Sequence, residues 1–286
     1  MSEVAVFFLH GLAYAGLLFL VSAGLTLVFG MMNVLNFAHA AFYMLGAYFS
    51  YSLLHVTGQF WLSLIVGPLL LLIIGALVER FLLRRIHVYG HLHELLLTFG
   101  LAYIITELVK LIWGNYPLAV NIGGFLGTTV HLFGITYPVY RIFIFVCAAL
   151  LGATMALILY RTRLGIILRA SVNDNEMVNA LGFNVPLVFT GVFAFGAALS
   201  GMAGVIAGPL LTTYPGMAHE ILIDAFVVIV VGGFGSLGGA VVASLLIGEL
   251  QSFGVLLFPK LSLALVYMLM AAVLIVKPSG LFGEKQ

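Results

Sequence analysis

Residues 161–186, RTRLGIILRASVNDNEMVNALGFNVP, form the one sustained polar stretch in this chain. Long apolar runs lie on both sides of it, at 142–160 and 187–211. Each run is close to the roughly 20 residues that a helix needs to cross a bilayer. A polar island between two spans must sit at a membrane surface, and that reading decides the fold. Asn173 is a good N-cap residue, and Glu176 three positions on completes an approximate capping box. Asp174 and Glu176 also suit the positive end of a helix dipole. Gly182 can take the left-handed position after a helix, and Pro186 prevents continuation. The pattern predicts a short helix over 174–181. A capped polar helix on a membrane protein is placed to meet a soluble partner.

Composition carries the reading outward. The chain has 286 residues, of which 63% are hydrophobic and 7% charged. Soluble domains carry about 25% charged residues, so water is not the main solvent here. The length accommodates about eight to ten spans. A net charge of +1 argues against a nucleic-acid surface. Cys147 is alone and cannot form an internal disulfide; inside an apolar run it reads as a small core residue. The start, MSEVAVFFLHG, has Glu3 and no cation, so the first apolar stretch is expected to stay as a span rather than be cleaved.

The apolar runs place spans at 4–29, 37–54, 60–78, 95–113, 142–160 and 187–211, then shorter segments at 221–231, 240–258 and 261–276. A basic turn is expected at 79–94, and a loop rich in Gly, Thr and Pro at 115–138. Cations set the orientation. Arg80, Arg84 and Arg85, then Arg161, Arg163 and Arg169, then Lys277 and Lys285, should face the cytoplasm, leaving Lys110, Arg141 and Lys260 outside. The expected fold is an all-α polytopic membrane protein with about nine (8–10) transmembrane helices, some broken, and a short cytoplasmic helix. Its N-terminus lies outside and its C-terminus in the cytoplasm. Gly-rich breaks at 30–36 and 232–239 are tolerable at membrane depth only when buried in protein or lining a wet cavity. Broken helices early and late in a chain are a transporter signature shared with channels.

Polar groups within the spans are candidates for a solute route. Ser22 and Thr26 lie one helical turn apart, and Asn33, Asn36 and His39 stand at the start of the second span. Such groups face the bundle interior or a wet pathway. They either line the route or satisfy backbone freed by the break. Glu249 falls midway along 240–258, where a bare carboxylate is costly; it either faces the pathway or is bonded to another span. Glu107 and Lys110 are i,i+3 neighbours and read as a structural pair. Asp224, with His219 and Glu220, reads as ordinary interfacial solvation near the outer surface. Gly196, Ser200, Gly204 and Gly208 repeat every four residues, which lets helices approach closely.

Four stretches resemble a known family: GLTLVFGMMNVLNFAHAAFYMLGAY (24–48), RTRLGIILRASVNDNEMVNALGFNV (161–185), VVGGFGSLGGAVVASLLIGEL (230–250) and VKPSGLFG (276–283). In that order they resemble the permeases of branched-chain amino-acid ABC importers, the LivH/LivM type, with the first closer to LivH. Glu176-Met177-Val178 followed by Gly182 is similar to the Glu-Ala-Ala-x-x-x-Gly loop of ABC-importer permeases, with both alanines replaced. The resemblance implies a single permease domain over 1–286, with a coupling loop at 161–186. Asn173, Asp174, Asn175, Glu176, Met177, Asn179 and Gly182 would engage an ATPase, and Ser22, Thr26, Asn33, Asn36, His39 and Glu249 would line the translocation pathway. It also implies a second homologous permease, two ATP-binding subunits using ATP and Mg, and an extracytoplasmic solute-binding protein. The setting is a bacterial or archaeal inner membrane, with lipid around the chain. The chain itself would be no enzyme and hold no cofactor. It has no G-x-x-x-x-G-K-[ST] stretch and so no P-loop. Branched-chain amino acids come first as substrate, beside small carboxylates or amides. The rival readings are an ion- or proton-coupled secondary transporter of small polar solutes and an intramembrane protease. The latter has only Ala198-Leu199-Ser200-Gly201 to support it.

Overall fold

The computed structural model describes residues 2–132 and 135–283. Within these, the elements run α1 (Ser2–Met32), α2 (Ala38–Thr57) and α3 (Phe60–Val78). The last continues through a π turn (Glu79–Leu83) and α4 (Arg84–Ile86) into a 3-10 turn at His87–Tyr89. Then come α5 (His91–Trp113), an antiparallel hairpin of β1 (Thr129–Leu132) and β2 (Ile135–Pro138), α6 (Val139–Arg161), α7 (Arg163–Asn173) and α8 (Asn175–Ala180). The chain closes with α9 (Val185–Ala207), α10 (Met217–Gly232), α11 (Leu237–Leu257) and α12 (Ser262–Val276).

Among the described residues, six helical stretches are long and apolar enough to cross a bilayer: Glu3–Met32, Phe60–Tyr89, His91–Trp113, Val139–Arg161, Val185–Ala207 and Leu237–Leu257. α2 has 20 residues but carries more polar side chains, and α10 and α12 have 16 and 15. The chain is an all-α polytopic membrane protein with one small hairpin. Large apolar side chains on α3, α5 and α6, among them Ile65, Ile104 and Leu150, remain exposed as lipid would require.

The core is built where small residues let backbones meet. A Cβ on Gly196 would stand 2.6 Å from Val28 Cγ2 and 3.2 Å from the Gly24 carbonyl, so α1 and α9 touch nearly backbone to backbone. Gly75 on α3 meets Ala197 and Ala194, and Gly67 meets Val205, which runs α3 antiparallel to α9. Gly204 sits on the Tyr43 carbonyl of α2, and the Ser200 hydroxyl donates to the His39 carbonyl at 2.6 Å. The four-residue stripe is thus a packing device, as its spacing predicts. α1 pairs antiparallel with α11: Ser252 donates to the Phe7 carbonyl at one end, and Gly30 abuts Gly235 at the other.

Both expected breaks are present but shorter than predicted. α1 runs on to Met32, and the turn is made at Asn33, whose φ of 53° is left-handed. Asn36 then accepts from Ala38 N at 3.1 Å and opens α2. At the later break α10 ends before Gly233, φ 102°, and the Ser236 side chain caps α11 by accepting from Gly239 N at 3.0 Å. The carbonyls left over at the end of α10 are satisfied by the C-terminal segment. Leu281 N donates to Val231 O at 2.8 Å, and Phe282 N donates to Gly232 O at 2.9 Å. The VKPSGLFG ending is therefore a lid on a helix terminus that would otherwise leave carbonyls unpaired.

Two expectations need correction. The basic turn at 79–94 is mostly helix, because arginine is a good helix former and charge marks the end of the hydrocarbon rather than the end of the helix. Polar stretch 161–186 is not one helix with flanking loop. It holds α7, α8 and the start of α9. Lys285, counted among the cytoplasmic cations, lies outside the described residues.

Candidate functional site

The polar island folds as two short helices in sequence. α7 ends at Asn173, and Asp174 N still bonds to Ala170 O at 2.9 Å, extending that helix's ladder. Asp174, not Asn173, is the N-cap of α8, its carboxylate accepting from Met177 N at 2.8 Å. The predicted Asn173/Glu176 box is therefore displaced by one residue, and the helix runs over 175–180 rather than 174–181. Gly182 is left-handed as expected, φ 90°. Its N–H bonds to Asn179 O, and Phe183 N reaches back to Val178 O, closing the C-terminal end. Asn184 caps the next helix, accepting from Leu187 N at 3.1 Å, and Pro186 sits in its first turn. Pro186 thus starts α9 as much as it stops α8.

The surface of α8 is open. Asn175, Glu176, Met177 and Asn179 are all exposed, Met177 to 58%, and Leu181 beyond them to 68%. Only Val178, 4% exposed, points inward and pins the helix to the body. Methionine and leucine flanked by Glu and Asn make a small mixed surface with defined ends and a single anchor.

Next to this segment lies a cluster that the sequence reading did not anticipate. Glu79 is 3% exposed, yet its carboxylate is held by Arg84, with Nη2 at 3.2 Å and Nε at 3.4 Å. Arg84 Nη2 also donates to Pro186 O at 2.7 Å and to Thr190 Oγ1 at 2.5 Å. Thr190 in turn donates to Glu79. A second buried carboxylate, Glu94, sits at the head of α5 between His87 and His91.

The six candidate pathway residues do not form one site. Ser22 is fully buried, but its hydroxyl donates to Leu18 O at 2.6 Å within its own helix. Asn33 is exposed and serves the turn. Asn36 accepts from Ala38 N where α2 begins and also lines a shallow depression with Leu25, Phe37, Leu222 and Phe226. His39 is buried, with Nε2 3.0 Å from Val21 O and its ring against Gly24, while Nδ1 has no partner among the described residues. Thr26 Oγ1 is likewise buried and unpaired. Glu249 stands apart, its carboxylate against Gly11 and without a partner among the described residues. Gly11 and Gly24 are separated by about 20 Å along α1 at 1.5 Å per residue.

The cluster at the start of α10 is more connected than expected. Tyr14 on α1 donates to Asp224 on α10 at 2.8 Å, so Asp224 is more than a solvated rim residue. Burial, then the hydrogen bond and charge of Glu220, push the Tyr214 phenol up to about 12. The Glu107–Lys110 pair forms at 2.6 Å on the exposed face of α5, as its spacing predicts.

Interrupted helices in a close-packed bundle, with a capped and nearly unsupported helix at one end, suit one class of protein, a polytopic transport permease. The chain belongs to the family of branched-chain amino acid transport system permease components, whose model matches residues 7–276. It is similar to the high-affinity branched-chain amino acid transport system permease protein BraD of Pseudomonas aeruginosa, 28% identical over 97% of this chain and 95% of BraD. LivH of Salmonella typhimurium is 26% identical over 100% of this chain and 99% of its own. A probable LivH of Methanocaldococcus jannaschii is 27% identical over 94% and 90%. No solved structure matches the chain.

Proposed function

We propose that this chain is the membrane permease of an ABC importer for branched-chain amino acids, and that α8 is the helix through which separate ATPase subunits drive it. The observation that carries this reading is α8 itself: six residues, capped at both ends, with one inward side chain and an exposed face. A helix this short is marginal in water on its own. Capping at both ends and exposure of Met177 and Leu181 suit a segment that completes its packing on a partner. Asp174 acts as the cap, Val178 as the anchor, and Glu176, Met177 and Asn179 as the contact face. Gly182 provides the turn into α9, and Asn173 and Asn175 flank the cap.

Nine crossings, with the N-terminus outside and the C-terminus inside, fit the helix pairings. α1 and α6 run together, since Gly16 meets Ile144 and Ala148 while Phe19 meets Gly152. α9 opposes α3, and α11 opposes α1. Arg84, Arg161, Arg163, Arg169 and Lys277 then collect at the end that carries α8, as cytoplasmic cations do. Lys110, Arg141 and Lys260 fall at the other end.

The solute route runs past Asn36 and past Thr26 and His39, whose buried Oγ1 and Nδ1 have no partner among the described residues and need one. Ser22 and Asn33 support it structurally, and Glu249 marks a separate position on the α1–α11 seam. Partners are a second permease, two ATP-binding subunits hydrolysing ATP with Mg, and an extracytoplasmic binding protein that selects the substrate. The membrane is a bacterial or archaeal inner membrane. Reconstitution with those subunits tests the reading: labelled leucine uptake is expected only with ATP and the ATPases. Uptake driven by a proton gradient without them would overturn it in favour of a secondary transporter.

A further inference from the structure

We infer that Glu79, Arg84 and Thr190 form a latch that passes displacement of the α8 segment into α3, making them positioning residues for the coupling of ATP hydrolysis to transport. The inference rests on the reading that α8 docks an ATPase.

Residues five apart do not face each other on a regular α-helix, where neighbours are three or four apart. Here they do, because the chain widens into a π turn over Glu79–Leu83 and Arg84 N bonds to Glu79 O. Such single wide turns concentrate at functional positions. This one has an identifiable effect: it swings Arg84 back over Glu79 as a two-nitrogen fork. The same guanidinium then reaches across to α9, taking the carbonyl of Pro186 and the hydroxyl of Thr190. Pro186 lies in the first turn of α9, joined to α8 only by the linker 181–184. A pull on α8 that passes along the chain towards α9 therefore arrives at the turn that Arg84 grips.

The chemistry suits a joint that must hold while moving. Glu79 is buried and its two oxygens are taken by Arg84 and Thr190, so the carboxylate depends on these partners rather than on solvent. Arg84 is 39% exposed on its side chain, leaving it free to follow the partner. Pulling Arg84 away would leave the buried Glu79 carboxylate without its countercharge, which is strongly unfavourable, so the grip resists separation of α3 from α9. Farther along, the two helices are held by Gly75 and Gly67 against Ala197 and Val205. The latch fixes the near end of that seam, where the load is applied.

The test uses the assembled importer in proteoliposomes and compares solute moved per ATP hydrolysed. Glu79→Gln keeps the shape but removes the charge, and Thr190→Val removes the hydroxyl shared by both partners; each is mild enough to preserve folding. Both are expected to assemble and hydrolyse ATP at near the unmodified rate, while transport per ATP falls at least about fivefold, the low end of coupling between sites. Arg84→Lys, which retains the charge, is expected to lose less than Glu79→Gln. A ratio within about twofold of the unmodified importer in both variants overturns the latch. So does a parallel fall in ATPase and uptake, which marks a merely structural role. Glu176→Lys runs alongside: if it leaves assembly and coupling intact, the docking reading itself fails. If Glu176→Lys uncouples and the latch variants do not, the latch alone fails.

Discussion

The stability of α8 turns on one side chain, and the size of the effect can be worked out. Val178 is 4% exposed, while every other residue of the helix faces solvent. Val178→Ala removes two carbons from a buried position, about 1.6 kcal/mol at about 0.8 kcal/mol per carbon. With tenfold per 1.4 kcal/mol, local opening of the segment should become roughly ten to fifteen times more frequent. Amide hydrogen exchange on the purified permease reads this directly. Amides of 176–183 should exchange about tenfold faster, whereas those in the middle of α9 should not change. Asn179→Ala, on the exposed face, is the control and should change exchange by no more than about twofold. Exchange in Val178→Ala within twofold of the unmodified chain would refute the idea that this valine is the anchor, and with it the description of α8 as a helix poised on a single contact.

Asp174→Ala removes the cap on Met177 N and should cost about 1 kcal/mol, seen as about fivefold faster exchange over the same amides; an Asn173→Ala change of equal size would return the cap to Asn173. Gly204→Val drives a side chain onto the Tyr43 carbonyl and within 3.0 Å of Ala47 N. It should destabilise the detergent-solubilised protein by about 1–3 kcal/mol in a thermal scan, while Gly191→Val, with nothing nearby, should leave the midpoint in place. Ser22→Ala should leave uptake unchanged, because that hydroxyl serves its own helix. His39→Leu should cut uptake about tenfold or more with assembly intact, since it removes the buried Nδ1 that has no partner among the described residues and would meet the solute; full uptake would reduce His39 to a structural role.

The spans were legible in the sequence because hydrocarbon imposes a simple length rule on apolar runs. The run 60–78 matches α3 at both ends, and the others differ by a few residues. Small-residue spacing on 196–208 also read correctly, because close approach has no other cheap solution in lipid. What failed is equally physical. Asn173 and Asp174 are both strong caps, and only the bond from Asp174 N to Ala170 O shows which helix owns which residue. Arg80, Arg84 and Arg85 looked like a turn, but the helix carries them past the hydrocarbon edge. The Glu79–Arg84–Thr190 cluster joins residues 111 apart in sequence. Its signal was present only in hindsight, as an acidic residue at the end of an apolar run with an arginine five positions later. The candidate pathway was the least legible part. A buried serine or asparagine looks the same in sequence whether it meets a solute or, like Ser22 and Asn36, satisfies backbone.

The central claim is that α8 is where a separate ATPase takes hold of this permease. A photo-crosslinking amino acid placed at Met177, 58% exposed on α8, tests it when the chain is expressed with its neighbouring subunits and isolated in mild detergent. The account predicts a single dominant adduct, identified by mass spectrometry as a subunit carrying a P-loop, and its loss when Glu176 is changed to Lys. An adduct only to lipid or to this chain itself, in a preparation that still transports, would contradict it.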